Sequence, residues 1–251
     1  MVTIILAEPE HPGNIGSVCR AMKNFGYKEL ILIEPRCDPT SQEAKNLAKH
    51  AQDVLANARV ETWDVLKDYA LVAATAGVPT TDYNLRRSPL TPEEGAQKLL
   101  AVKKSTSHKG AALLFGRESS GLKNKELDKA DFVITIPTRK KSASMNLSHA
   151  VAVMLYALTV AKPFERFTPI PANEKNILLK QFGEAIDALH FPTDAMRITQ
   201  KRLWKNILGR ALLTRREAFA LFGFLRALGP QRTPPPTRAT PQQSRRTQTK
   251  R

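Results

Sequence analysis

The sequence predicts an α/β fold built on a mainly parallel sheet, and three observations carry that reading. Short apolar runs of strand length alternate with segments of helical spacing through the first 160 residues. Glycine, proline and small polar residues separate these runs. Three strand-to-helix junctions also carry different polar cargo. These are Asn14-Ile15-Gly16-Ser17-Val18-Cys19-Arg20, Leu114-Phe115-Gly116-Arg117-Glu118-Ser119-Ser120-Gly121-Leu122 and Ser144-Met145-Asn146-Leu147-Ser148-His149-Ala150. Helix starts offer unpaired backbone N–H groups to a ligand. Three of them together predict one composite site at the carboxyl ends of the strands.

Residues 2–7 read as a first strand and residues 10–14 as a turn, with Asn14 capping the next helix. In that helix Ile15, Val18, Cys19, Met22 and Phe25 recur at helical spacing until Gly26 stops it. A second strand at 29–33 ends at Glu34-Pro35. Ser41 caps a helix expected to run to residue 55, with Ala44, Leu47, Ala48, Ala51 and Leu55 along one side. A strand at 70–74 leads into Thr75-Ala76-Gly77. Residues 79–92 form a loop and 92–102 a helix, and strands follow at 110–115 and 132–136. The helix at 147–160 has almost no charge, which predicts burial on most sides.

Beyond residue 162 the alternation stops. Residues 163–172 read as a linker, and 173–229 as a helical extension. Its apolar positions are Ile177, Leu178, Phe182, Ile186 and Leu189, then a second set from Leu203 to Leu228. The tail, 230–251, has five prolines and no large apolar side chain, so disorder is expected there. The sheet domain then occupies 1–162.

The formal net charge is +16, and its placement matters more than its size. Residues 175–229 carry 10 Lys/Arg against 4 Asp/Glu, and the tail carries 6 against none. Clustered positive charge favours a polyanionic partner, most simply nucleic acid. No apolar run approaches the roughly 20 residues of a membrane span. Two cysteines, Cys19 and Cys37, give no disulfide framework, and no metal-ligand spacing is visible. The first residues read as a strand rather than a signal peptide, so a cytoplasmic location is expected.

Each junction also has a bland explanation. Gly13-Asn14-Ile15-Gly16 partly mimics a dinucleotide fingerprint, with Glu34 following, but the third glycine is missing. A strand-to-helix turn explains Asn14 and the glycines. It leaves Arg20, set beside Cys19 and Met22, expected to be partly buried and in want of an anion. Gly116 suits close approach of a backbone to a ligand. Glu118 could accept from backbone N–H groups or anchor a basic side chain. Ser144 and Asn146 are natural helix caps, and His149 reads as a structural histidine within an apolar helix.

Together the three strings resemble the SPOUT class of RNA methyltransferases, the TrmH superfamily and, within it, the TrmJ type. Pro12-Gly13-Asn14 through Arg20 looks like its first motif and Phe115-Gly116-Arg117-Glu118 through Leu122 like its second. Ile134-x-Ile136-Pro137 through Ala150 looks like the third. The resemblance implies a deep trefoil knot, a homodimer with sites at its interface, and S-adenosyl-L-methionine as methyl donor. It places the cofactor against Thr75, Ala76, Gly77, Gly116, Ile136, Ser144 and Met145. Catalytic roles fall to Arg20, Asn14, Ser144, Asn146 and Glu118. The activity implied is 2′-O-methylation of tRNA ribose, in the anticodon loop at nucleotide 32. Ribosomal RNA methylation and non-catalytic RNA binding on the same fold stay open as alternatives. A nicotinamide oxidoreductase is the weakest.

Overall fold

The structure is a computed structural model, and it describes residues 2–77, 89–104, 108–139, 144–162 and 170–228. The sheet has six strands: β1 (Thr3–Ala7), β2 (Leu30–Ile33), β3 (Arg59–Glu61), β4 (Leu71–Thr75), β5 (Ala111–Phe115) and β6 (Phe132–Ile134). They lie in the order β3-β2-β1-β5-β4-β6, and every pairing is parallel. Side chains alternate between two buried faces, as a parallel sheet requires. Ile4, Leu6, Leu113 and Phe115 pack with α1 (Pro12–Asn24), α2 (Gln42–Ala48), α3 (Gln52–Ala56), α4 (Pro92–Ala101) and α6 (Leu147–Val160). Ile5, Ala7, Leu114 and Val72 pack on the other side, under Val65, Leu66 and Tyr69 and beside α5 (Asn124–Leu127).

Several local expectations change. Asn14 is not the cap of α1. That helix starts two residues earlier at Pro12, whose fixed φ suits a first helical position. The helix expected over 41–55 is broken. Ser41 does cap α2, but Lys49 takes φ 52° and closes it, and a 3-10 turn leads into α3. Strand β3 has no counterpart among the expected elements: it is three residues on an exposed edge. The apolar helix α6 is buried or half-buried on most sides, as expected, but one strip of it is open. Tyr156 is 60% exposed and Val160 53%.

The extension is three helices rather than two apolar sets: α7 (Ala172–Asp187), α8 (Asp194–Ala211) and α9 (Arg215–Leu228). A left-handed residue, Leu212, ends α8. Their small core is Leu178, Phe182, Leu208 and Leu225, with Trp204 stacked on Phe182. The extension docks at the amino ends of β4 and β6. Lys175 donates to the Asp131 carboxylate at 2.6 Å and to the Ala70 carbonyl at 3.2 Å. Asp131 in turn accepts from the Val72 N–H. Gly209 brings α8 so near the Asp131 carbonyl that a methyl group there would overlap it. The linker residues 163–169 and the tail lie outside the described residues. Among the described residues no helix is long and apolar enough to cross a membrane.

Candidate active site

Strand order decides where the site lies. Because β4 sits between β5 and β6, the loops leaving all three strands converge at one end of the sheet. There they enclose a cleft of about 380 Å³, within the range of small-molecule sites. Thr75, Ala76 and Gly77 come from the end of β4, Gly116 from β5 and Ile136 from beyond β6. Ser144 and Met145 come from the approach to α6. All seven residues expected to face a cofactor therefore line one cavity.

Apolar walls from Phe115, Leu122, Ile136, Met145, Leu147 and Ala150 alternate there with polar groups such as Thr75, Ser119, Ser120 and Ser144. Parts of the rim backbone are already paired: Ala76 donates to the Ile134 carbonyl and accepts from the Thr135 hydroxyl. The Thr138 hydroxyl oxygen, by contrast, is buried at the cleft without a partner among the described residues. A buried hydroxyl with no partner costs free energy unless a ligand or water meets it.

The loop after β5 is held by a buried charge cluster that sequence reasoning missed. Arg117 is 4% exposed. It donates to the Glu126 carboxylate at 2.7 and 3.0 Å, to Glu8 through Nε at 3.1 Å and again through Nη2, and to the Gly121 carbonyl. Hydrogen bonds from Arg117 hold the Glu8 carboxyl below the usual carboxylate range. Burial pushes the Glu126 carboxyl upward, but Arg117 and the Lys123 N–H outweigh it and leave it lowered. Gly116 proves necessary for this fold of the loop itself. A methyl group there would overlap the Gly121 carbonyl and the Leu122 nitrogen.

Glu118 then does from a distance what no local residue does for α1. Its carboxylate accepts from the Glu10 N–H at 2.9 Å and the His11 N–H at 3.3 Å, at a helix start that lacks a local side-chain cap. An acid at that position also meets the positive end of the helix dipole. Asn14 donates to the same carboxylate at 2.9 Å and accepts from the Asn146 amide at 3.0 Å. Asn146 caps α6 through the Ser148 N–H and hydroxyl. Glu118, Asn14 and Asn146 thus form one relay joining the β5 loop, α1 and α6. A second tie runs from Ser119 to the Glu10 carboxylate, whose pKa these bonds lower.

Arg20 departs from expectation. It is exposed, on the side of α1 that also carries Asn14 and Ser17, and it does not line the cleft. The apolar neighbours Cys19 and Met22 point into the core, and helical geometry turns Arg20 away from them. His149 is likewise exposed rather than satisfied in the core. Ser144 lines the cleft but does not cap α6, a role Asn146 takes. Cys19 is an inert core residue, its thiol pushed up to about 12 by burial. Among the described residues no cluster of His, Cys, Asp or Glu could hold a metal ion.

Comparison with known proteins agrees with this geometry. The profile of the SpoU rRNA Methylase family matches residues 1–156. The tRNA (cytidine-2′-O-)-methyltransferase TrmJ of Methanocaldococcus jannaschii is 38% identical over 228 residues, 88% of this chain and 96% of that protein. The tRNA (cytidine/uridine-2′-O-)-methyltransferase TrmJ of Escherichia coli K12 is 40% identical over 162 residues, 64% of this chain and 63% of its own length. Among solved structures, TrmJ from Z. mobilis ZM4 superposes with a TM-score of 0.67 at 29% identity, covering 91% of this chain and 99% of that one. A probable methylase family protein from Haemophilus influenzae gives 0.59 at 30% identity, over 90% and 95%.

Proposed function

This chain belongs to the SpoU rRNA Methylase family, and from that membership we propose that it is a tRNA ribose 2′-O-methyltransferase using S-adenosyl-L-methionine. The observation that carries the proposal is the convergence of seven residues, from the second and third family-like motifs and the end of β4, on one cleft. The residues present fit the cofactor. Phe115, Leu122 and Ile136 suit an adenine ring, and the unpartnered Thr138 hydroxyl offers a hydrogen bond. When bound, the cofactor supplies a methyl group already activated on sulfonium.

What remains for the protein is alignment and management of the hydroxyl proton. Arg20 is a cation at physiological pH and a poor base, because guanidinium holds its proton above about pH 12. Its role is to grip the RNA phosphate and steady the developing alkoxide. Asn14, Asn146 and Ser144 orient that group and the ribose, and Glu118 holds the loops together beneath them. Arg20 is exposed on α1, which packs against α6, and Tyr156 and Val160 of α6 lie bare. The bare apolar positions of α6 support a homodimer in which Arg20 completes a site with its partner. The proposal also includes the trefoil knot of the family, a sheet domain over 1–162 with the helical extension as a separate unit, and a cytoplasmic location. The target proposed is nucleotide 32 of the anticodon loop.

Incubation with labelled cofactor and tRNA, followed by nuclease digestion and mass spectrometry, tests this. A 2′-O-methyl mark at nucleotide 32 is expected. A mark on a base, or only on ribosomal RNA, would overturn the tRNA reading. Arg20→Ala is expected to lower kcat by about 10²–10³-fold while cofactor affinity by calorimetry stays unchanged. Loss of both together would make Arg20 a structural residue.

A further inference from the structure

One surface of the extension is unexplained by packing. Along α9, Arg216, Phe219, Ala220, Gly223 and Ala227 recur at three- and four-residue spacing and are all exposed. Phe224 flanks the same strip beside Ala220 and Ala227. The buried positions, Ala218 and Leu225, lie on the opposite side. Phe219 is 63% exposed and Phe224 53%. Two bare phenylalanines thus stand on either side of a glycine in mid-helix.

Gly223 is the second observation. Glycine inside a helix costs roughly 1 kcal/mol against alanine, and close packing is the usual reason to keep one. Here a methyl group would meet nothing within 4 Å. The helix backbone is therefore open at this point, and a flat group could approach it closely between the two rings. Charge narrows what that group is. Arg216 makes no hydrogen bond or ion pair with the described residues, Arg226 and the Glu174-paired Arg215 flank the strip, and the one acid of the helix, Glu217, is committed to Thr214. Pairing with a second copy by two-fold symmetry would set this arginine face against itself. A flat, anionic partner suits it better. Stacking a base between aromatic rings, with arginines on the backbone, is how proteins hold single strands.

We propose that the outer face of α9 is a stacking platform for unpaired bases of the RNA substrate, with Phe219 and Phe224 as the platforms and Gly223 as the floor between them. The proposal rests on the RNA reading above and adds a place where bases splayed from the RNA are held away from the methyl-transfer cleft.

The test uses the full chain and two labelled probes: an unstructured RNA of about twelve nucleotides, within the range that such surfaces cover, and a blunt RNA duplex of equal length. The double variant Phe219→Ala/Phe224→Ala is expected to weaken single-strand binding about tenfold or more. Duplex binding, whose bases are already stacked, and the slope against salt should not change. Phe219→Trp/Phe224→Trp should bind the single strand at least as well as the wild type, which separates stacking from mere folding. Arg216→Gln should lower the salt slope for both probes by about one. Equal losses on both probes, or none, would overturn the platform. So would a wild-type oligomer that the alanine variant dissociates while keeping its RNA affinity. If the wild type methylates tRNA but the alanine variant binds single strands normally, only the platform fails. If the wild type neither binds nor methylates any RNA, the enzymatic reading itself fails.

Discussion

The sheet domain and the helical extension solve the problem of burying side chains in opposite ways. The sheet satisfies itself. Apart from the edge strand β3, its strands are covered on both faces, and even the charges that enter it, Arg117, Glu8 and Glu126, find one another. The extension does not. Its buried core has four members, and eight of the twelve large apolar side chains that the described residues leave exposed belong to this extension, Leu189 among them in the turn after α7. A region that packs its own loops tightly can present a shaped cleft to a small molecule. A region with bare apolar and cationic surface is built to meet something larger. The comparison therefore assigns chemistry to the sheet and grip to the helices.

The sharpest test of a self-satisfied sheet is to unpair its buried charge. Arg117→Ala leaves Glu126 without its cation and Glu8 with only the half-exposed Arg36 as partner. Breaking a buried ion pair from one side costs about 3–5 kcal/mol, so a large fall in unfolding free energy by denaturant titration is expected at pH 7. The pH dependence has a definite sign. Both carboxyls have folded pKa values lowered from 4.5, so their stabilisation is complete above about pH 4.5 and is lost as pH falls through the lower folded values. The variant loses that benefit, and protonation instead relieves its repulsion. The gap between wild type and variant should narrow as the solution is acidified. A gap that is constant with pH would mean that packing, not charge, holds the loop.

How legible was this in the sequence? The apolar runs of β1, β2, β4, β5 and β6 could be read because both faces of each are buried, so nearly every residue is hydrophobic. Strand β3 could not, because an exposed edge of three residues, Arg59–Glu61, carries no apolar run. The cleft was legible through its junction motifs, since glycine and small polar residues mark where chain must turn beside a ligand. Arg117 was not. Nothing in Gly116-Arg117-Glu118 says which of two adjacent charges goes inward, and its partners Glu8 and Glu126 are brought to it only by the parallel pairing of β1 and β5 and the return through α5. Arg20 failed for a related reason: neighbours in sequence lie on different sides of a helix.

The seam between the two regions allows a smaller intervention. Gly209→Ala places a methyl group into the Asp131 carbonyl, and overpacking of this kind costs about 1–3 kcal/mol. Hydrogen exchange should show faster exchange throughout α7, α8 and α9 while β1 and β5 keep their protection, with cofactor affinity unaltered. If β1 and β5 loosen equally, the two regions are one cooperative unit, and the contrast drawn between them is only one of surface composition.

The smallest effect discriminates most finely, because it compares two glycines inside the extension. Gly183 in α7 and Gly223 in α9 both sit in helix interiors with nothing within 4 Å of where a side chain would begin. Alanine at either position should stabilise the chain by about 0.4–1 kcal/mol, since it restricts the unfolded state and strains nothing in the folded one. Thermal unfolding should therefore shift upward in both variants. Their effects on RNA should differ. A methyl group at 223 fills the floor between Phe219 and Phe224, so Gly223→Ala should gain stability and lose affinity for a single strand, whereas Gly183→Ala should gain stability alone. A protein kept soluble merely by scattered positive charge would treat the two substitutions alike, because neither alters charge. Opposite movement of stability and affinity at one glycine, and not at the other, is the outcome that only a surface shaped for a ligand produces.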